Sequence, residues 1–167
     1  MELFIFIGFY DNIHYKEKGE YYMEIFKNKH VGCYGIVYNE EGEVLLIKKA
    51  RGAYKGQLDL PGGGIEYGES AEDTLKREFE EEIGLKISKF KLKDIVTNYV
   101  VWDLDKTHKE DLQHIAIIYD VKIKKSDFKK IKKDADGLDS LGANWYRVED
   151  LKINDLSPLA KVVKKYK

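Results

Sequence analysis

Apolar residues fall in short runs along most of the chain, separated by glycines and polar clusters. Val31 to Tyr38 and Val44 to Ala50 are two such runs joined by the polar "NEEGE", whose glycine suits a tight turn, and together they predict a hairpin. "RGAYKGQ" reads as a glycine-punctuated loop and "LDL" as a short strand. Residues 86 to 101 carry the β-branched and aromatic content of one long or two short strands, followed by a polar loop, "DLDKTHKED", and a strand, "LQHIAIIYDVKI". "ANWYRV" predicts a final strand. "SPLAKVVKKY" predicts a closing helix, with Ser157 as cap and Pro158 at its first position. The connector "KKSDFKKIKKDADGLDS" has room for one short helix. At the other end the apolar run Leu3 to Ile7 lacks a basic leader and is too short for a membrane span, so residues 1–22 read as an arm or strand appended to a single domain over 23–167.

The clearest helical pattern is "SAEDTLKREFEEEIGL". Ser70 stands as a cap with Asp73 three positions on, acids fill the first turn, and Gly84 marks the stop. At about 100° per residue, with Glu78 at zero, Glu82 falls near 40° and Glu81 near 300°, while Leu75, Phe79 and Ile83 lie at about 60°, 100° and 140°. An apolar stripe for a core thus runs beside a ridge of three carboxylates. Acids at such spacing repel one another, and a hard divalent cation such as Mg²⁺ or Mn²⁺ would offset that repulsion. A solvated helix face balanced by Lys76 and Arg77 would do so too.

Composition narrows the setting more than the chemistry. The chain has 167 residues, enough for one core, and 29 basic side chains nearly cancel 30 acidic ones. Its overall charge therefore directs it to neither nucleic acid nor an acidic membrane. The run "KKSDFKKIKK", with Lys129, Lys130, Lys132 and Lys133, is the one basic stretch that an RNA groove could use. Cys33 is the single cysteine, so there is no internal disulfide and no zinc spacing, which fits a reducing, cytoplasmic setting. Strands interleaved with two helices give an α/β domain around a mixed sheet.

Just before the acidic helix, "LPGGGIEYGES" approaches the spacing of a phosphate-binding P-loop, but Glu69 stands where the lysine would be. From Gly63, five residues lead to Glu69 and seven more to Arg77, Glu78, Phe79, Glu80, Glu81, Glu82, Ile83, Gly84 and Leu85. This resembles the Nudix box, Gx5Ex7REUxEExGU with U apolar, at all of its fixed positions. At ordinary residue frequencies a chance match is on the order of one in a million or less.

The resemblance implies a Nudix-type α/β/α sandwich around a mixed β-sheet, and a hydrolase that cleaves the pyrophosphate linkage of a nucleoside diphosphate derivative with a metal-activated water. On its terms Glu81 and Glu82 are principal metal ligands, Glu78 is a ligand or general base, and a carbonyl near Gly62 completes part of the shell. Arg77 orients the glutamates, and Gly63, Glu69 and Gly84 are structural. Asp139, with Asp136 next, best matches an auxiliary carboxylate; Glu110 and Asp111 are weaker candidates. Lys48 and Lys49 end a strand, and because side chains alternate only one faces the cleft. Lys49, with Arg51 behind it, is the candidate phosphate contact, and Tyr99 and Trp102 are candidates for stacking on a base. His108 and His114 show no ligand spacing. A nucleotide-sensing binding protein and a hydrolase of RNA 5′ ends are the alternatives, and the apolar N-terminal segment offers a strand for a homodimer.

Overall fold

The structure, a computed structural model, describes residues 13–16, 22–134 and 140–166. Its centre is a long strand, β2 (Tyr22–Ile36). β1 (Ile13–Lys16) pairs antiparallel with residues 22–25 of β2, joining the two sides of the division read at residue 22. The other edge of β2 pairs in parallel with β7 (His108–Lys122), over Glu24 to Ile36, and β6 (Lys89–Asp103) closes the sheet antiparallel to β7. A second, antiparallel sheet has β3 (Glu43–Lys49) between β4 (Leu58–Asp59) and β8 (Ser140–Arg147). The first sheet is the mixed sheet of the sequence expectation, with β2 and β7 parallel, and the second stands beside it.

Hydrophobic alternation decides what covers each face. In β2, Cys33 and the following Val37 turn toward one cluster, and Tyr34 and Ile36 toward the other. In β3, Leu45 and Ile47 face the first and Val44 and Leu46 the second, which is why this strand reads as a continuous apolar run. The first cluster is sealed by α1 (Ala71–Glu78), whose Leu75, with Phe79 and Ile83 beyond it, is fully buried as the stripe predicted. The second is sealed by the C-terminal segment, through Leu156, Leu159, Ala160 and Val163.

That segment departs from expectation. Instead of one closing helix it forms two short 3₁₀ turns, Ile153–Asp155 and Ala160–Lys164. Ser157 still caps: its Oγ accepts the Ala160 amide at 3.0 Å. The same hydroxyl donates to the buried Asp59 at 2.6 Å, and that bond fixes the segment to β4 rather than letting a regular helix start there. The polar stretch after β6 is likewise shorter than read. Asp105 accepts the amides of Thr107 and His108, closing the turn so tightly that β7 already begins at His108.

Ser70 caps α1 as the sequence indicated, accepting the Asp73 amide at 3.2 Å and donating to the Asp73 carboxylate at 2.6 Å. Ser70→Ala is expected to lower stability by about 1 kcal/mol, read as a lower urea midpoint at an unchanged slope. A wild-type midpoint would mean that the cap contributes nothing.

Candidate active site

The box does not continue as a regular α-helix. Residues Phe79–Ile83 form a π-helical turn, ended by Gly84 in the left-handed conformation (φ 77°) with its amide directed to the carbonyls of Phe79 and Glu80. A π turn holds more residues than an α turn, so each residue advances by a smaller angle. Glu82 lies within this turn and is 2% exposed. The regular wheel placed Glu82 beside the apolar stripe but gave no reason to bury it.

The glycine-rich stretch is not an open phosphate cradle either. Gly62–Gly64 form a strand, β5, laddered antiparallel on Gly32–Tyr34 of β2. Gly62 has φ 139°, and a Cβ there would collide with the Cys33 carbonyl. Only glycine meets both demands. A Cβ at Gly63 would collide with the Glu78 carboxylate, so the loop backbone and the helix acids are in close contact.

This brings the box residues together. Glu82 Oε2 accepts the Gly62 amide at 2.9 Å. Its Oε1 is buried with no hydrogen-bond partner and lies 3.9 Å from Lys49 Nζ. Burial, opposed mainly by the Lys49 charge, pushes the Glu82 carboxyl up to about 8. Arg77 binds Glu69 through Nε at 2.8 Å and Nη2 at 3.0 Å, the Gly64 carbonyl at 3.0 Å, Glu78 at 2.7 Å and Glu81 at 3.2 Å. Hydrogen bonds from Arg77 and then Thr74 hold the Glu69 carboxyl down at about 2. Glu78 is shifted upward, chiefly by burial.

Among the described residues no three His, Cys, Asp or Glu side chains are already gathered as a metal cage. The reason is visible in the contacts: Arg77 holds oxygens of Glu78 and Glu81 that a cation would use. The unpartnered Glu82 Oε1 is nonetheless the kind of group that a buried carboxylate site leaves for a cation, and the donor set is all oxygen, as Mg²⁺ or Mn²⁺ prefers.

A cleft of about 420 Å³ opens beside these residues, within the range of small-molecule sites. Lys49, Arg51, Trp102, Gly63 and Asp59 line it. Lys48 is exposed and points away, as alternation requires. Tyr99 is not brought into the cleft; it is 69% exposed on β6, its hydroxyl accepting from Gln113. Asp139 and Asp136 lie outside the described residues. In the basic run Lys130 pairs with Asp127 and Lys132 donates to the Glu81 carbonyl at 2.9 Å, while Lys129 and Lys133 line a separate cavity with Phe128 and Trp145.

Sequence reasoning missed the cleft's far wall. His114 is buried, with Nε2 2.8 Å from the Tyr34 hydroxyl and Nδ1 3.2 Å from that of Tyr54, and it meets His30 edge-on at a ring separation of 4.7 Å. Burial lowers its pKa to about 3, with the His30 and Lys49 charges acting the same way. The available signal was register: residues 30 and 114 share no sequence motif but are direct partners in the β2 and β7 pairing.

Comparison with known proteins agrees with this architecture. A family model described as NUDIX domain matches residues 28–166. The nucleoside triphosphatase NudI of Klebsiella pneumoniae is 33% identical over 133 residues, 73% of this chain and 85% of that protein. An 8-oxo-dGTP diphosphatase of Haemophilus influenzae is 44% identical over 52 residues, but the match spans 30% of this chain and 38% of that relative. The crystal structure of a MutT NUDIX hydrolase from Burkholderia pseudomallei has the same fold, with a TM-score of 0.53 at 21% identity over 83% of this chain and 97% of that one. With its box, its sandwich and a family match over most of its length, the chain belongs to the NUDIX family.

Proposed function

We propose that the chain is a divalent-metal-dependent hydrolase that cleaves the pyrophosphate linkage of a nucleoside triphosphate or a related nucleoside diphosphate derivative. The observation that carries this reading is the buried, half-satisfied carboxylate of Glu82 beside Lys49 at the cleft. The activities for which the NudI and 8-oxo-dGTP diphosphatase relatives are named favour triphosphates over nucleotide sugars.

Glu78, Glu81 and Glu82, with a carbonyl of the Gly62 segment, would hold Mg²⁺ or Mn²⁺. Such a cation supplies charge neutralisation on the phosphate oxygens and acidifies water. The protein's own groups do the rest. Arg77 fixes the carboxylates against β5 and would have to yield oxygens of Glu78 and Glu81 to an arriving cation. Lys49 places an ammonium group 3.9 Å from Glu82 Oε1, where the phosphate end of a substrate would be met, and Arg51 extends the positive wall. The face of Trp102 offers a stacking surface at the other side of the cleft. Cys33, buried and pushed up to about 11 by burial, takes no part and is suited to a cytoplasmic setting.

The test is release of pyrophosphate or phosphate from a panel of ribo- and deoxyribonucleoside triphosphates, ADP-ribose and nucleotide sugars, with Mg²⁺, Mn²⁺ or excess EDTA. Turnover of a triphosphate that EDTA abolishes and Mg²⁺ or Mn²⁺ restores is the expected result. Metal-independent turnover, or tight nucleotide binding without product, would contradict the proposal.

A further inference from the structure

Beyond the carboxylates, the cleft ends in a group that hydrolysis does not use. Glu110, at the start of β7, is fixed from two sides: its Oε1 accepts the Asn28 side-chain amide at 2.7 Å and its Oε2 accepts the Trp102 indole N–H at 2.6 Å. All three residues line the cleft. Asn28 lies four residues along β2 from Gly32, the ladder partner of Gly64, a separation of about 13 Å at about 3.3 Å per residue. The two ends of the cleft are thus set apart as the phosphates and base of a nucleotide are.

Accounting for donors and acceptors gives this end a definite pattern. The Trp102 indole has one N–H, and Glu110 has taken it. The Asn28 carbonyl oxygen accepts the Lys29 amide at 2.8 Å, and one of its two N–H groups is given to Glu110. What remains is one amide N–H and one lone pair of the Asn28 carbonyl, beside a carboxylate with two unused acceptor positions. The Watson–Crick edge of guanine presents the complement in order: the O6 acceptor, the N1–H donor and the N2 amino donor. Adenine and cytosine each place an acceptor ring nitrogen beside the exocyclic amine, and would set that lone pair against the carboxylate. Uracil offers a single N–H between two carbonyls.

We propose that Glu110, held by Asn28 and Trp102, is the base-selecting residue of the site and that the substrate is a guanine nucleotide. This rests on the proposed nucleotide hydrolysis and adds the identity of the base. Glu110 acts on selectivity, not on the phosphates.

The experiment compares kcat/KM for GTP, ITP, ATP, CTP and UTP in the wild type and in Glu110→Gln. The wild type is expected to favour GTP over ATP by about tenfold to a hundredfold, the value of a good bidentate contact to a base. ITP, lacking the N2 amino group, should fall between them. Glu110→Gln, which presents an amide where the carboxylate stood, should lower GTP turnover by about that factor while ATP and UTP change little. A wild type without base preference, a preference for another base, or a selectivity that survives the substitution would each overturn the proposal. A parallel loss for every nucleotide would do so too, since it would mark Glu110 as only a structural tie. If no nucleotide is hydrolysed, the proposed activity fails by itself; calorimetric titration of GDP against ADP into both proteins then decides the base question by the same ratio.

Discussion

Glu82→Gln is expected to lower nucleotide hydrolysis by about 10²-fold to 10⁴-fold, the range associated with losing a positioned acid–base group, and at the same time to stabilise the fold. The two effects have one cause. In the wild type one carboxylate oxygen is satisfied by the Gly62 amide and the other is buried without a hydrogen-bond partner, facing Lys49 at 3.9 Å. Keeping that carboxyl buried, neutral below about pH 8 and charged above it, costs stability, of the order of 1–3 kcal/mol for an unpaired buried oxygen. Glutamine has the same shape, its carbonyl can keep the Gly62 bond, and it removes the ionisable group. It also removes the anionic oxygen that a cation would bind. The check is a melting curve beside a turnover assay: a higher melting temperature with activity nearly gone. Wild-type turnover in the variant would remove Glu82 from the site altogether.

The second large effect concerns acid stability. His114 titrates near 6.5 when unfolded and at about 3 in the fold, where burial first, and the His30 and Lys49 charges second, disfavour its cation. Between those values the unfolded chain binds the extra proton, so stability falls as pH drops from about 6.5 toward 3 and is fully present above that window. A gap of about 3.5 pH units at about 1.4 kcal/mol per unit gives a loss of about 5 kcal/mol. Asp59 works in the opposite direction: burial pushes it up to about 6, so its contribution falls as pH rises from about 4 to 6. The measurement is therefore a difference. Urea unfolding of the wild type and of His114→Gln is followed from pH 7 to pH 3.5. The wild type should lose the larger amount, because glutamine can bond both tyrosine hydroxyls without taking up a proton. Parallel loss in the two proteins would show that His114 is not the acid-sensitive group.

What could be read from the sequence was what local pattern controls. The tight turn at Asn39 to Glu43, the Ser70 cap, the buried stripe of Leu75, Phe79 and Ile83, and the Gly84 stop all depend on residues within a few positions of one another, whereas the two runs read as a hairpin keep only the Tyr38 to Val44 bridge and then part into different sheets. The box residues were legible because they form a spaced motif. The π turn in which Glu82 is buried was not, since a wheel drawn at a fixed angle cannot contain it. Lys49 was found by strand alternation. Tyr99 illustrates the limit of that logic, because edge-strand aromatics share its pattern whether or not a cleft lies beneath them. The closing helix was misjudged for a different reason: Ser157 and Pro158 are good opening residues, but the Asp59 carboxylate that accepts the Ser157 hydroxyl lies 98 positions away.

The parallel pairing of β2 with β7 also says something about how the molecule comes into being. Asn28 and Glu110 are 82 residues apart, and Tyr34 and His114 are 80 apart, yet each pair is in direct contact. By contrast, β5 reaches β2 across about thirty residues of chain. Long loops close slowly, and parallel strands cannot be joined by a tight turn. The box strand and helix can therefore dock early, while the far wall of the cleft must wait for most of the chain to be made and for β7 to find its place. On the proposed function, a newly made chain would hold its phosphate-facing acids before it had anywhere to put a base, and discrimination between nucleotides would be the last property the fold acquires.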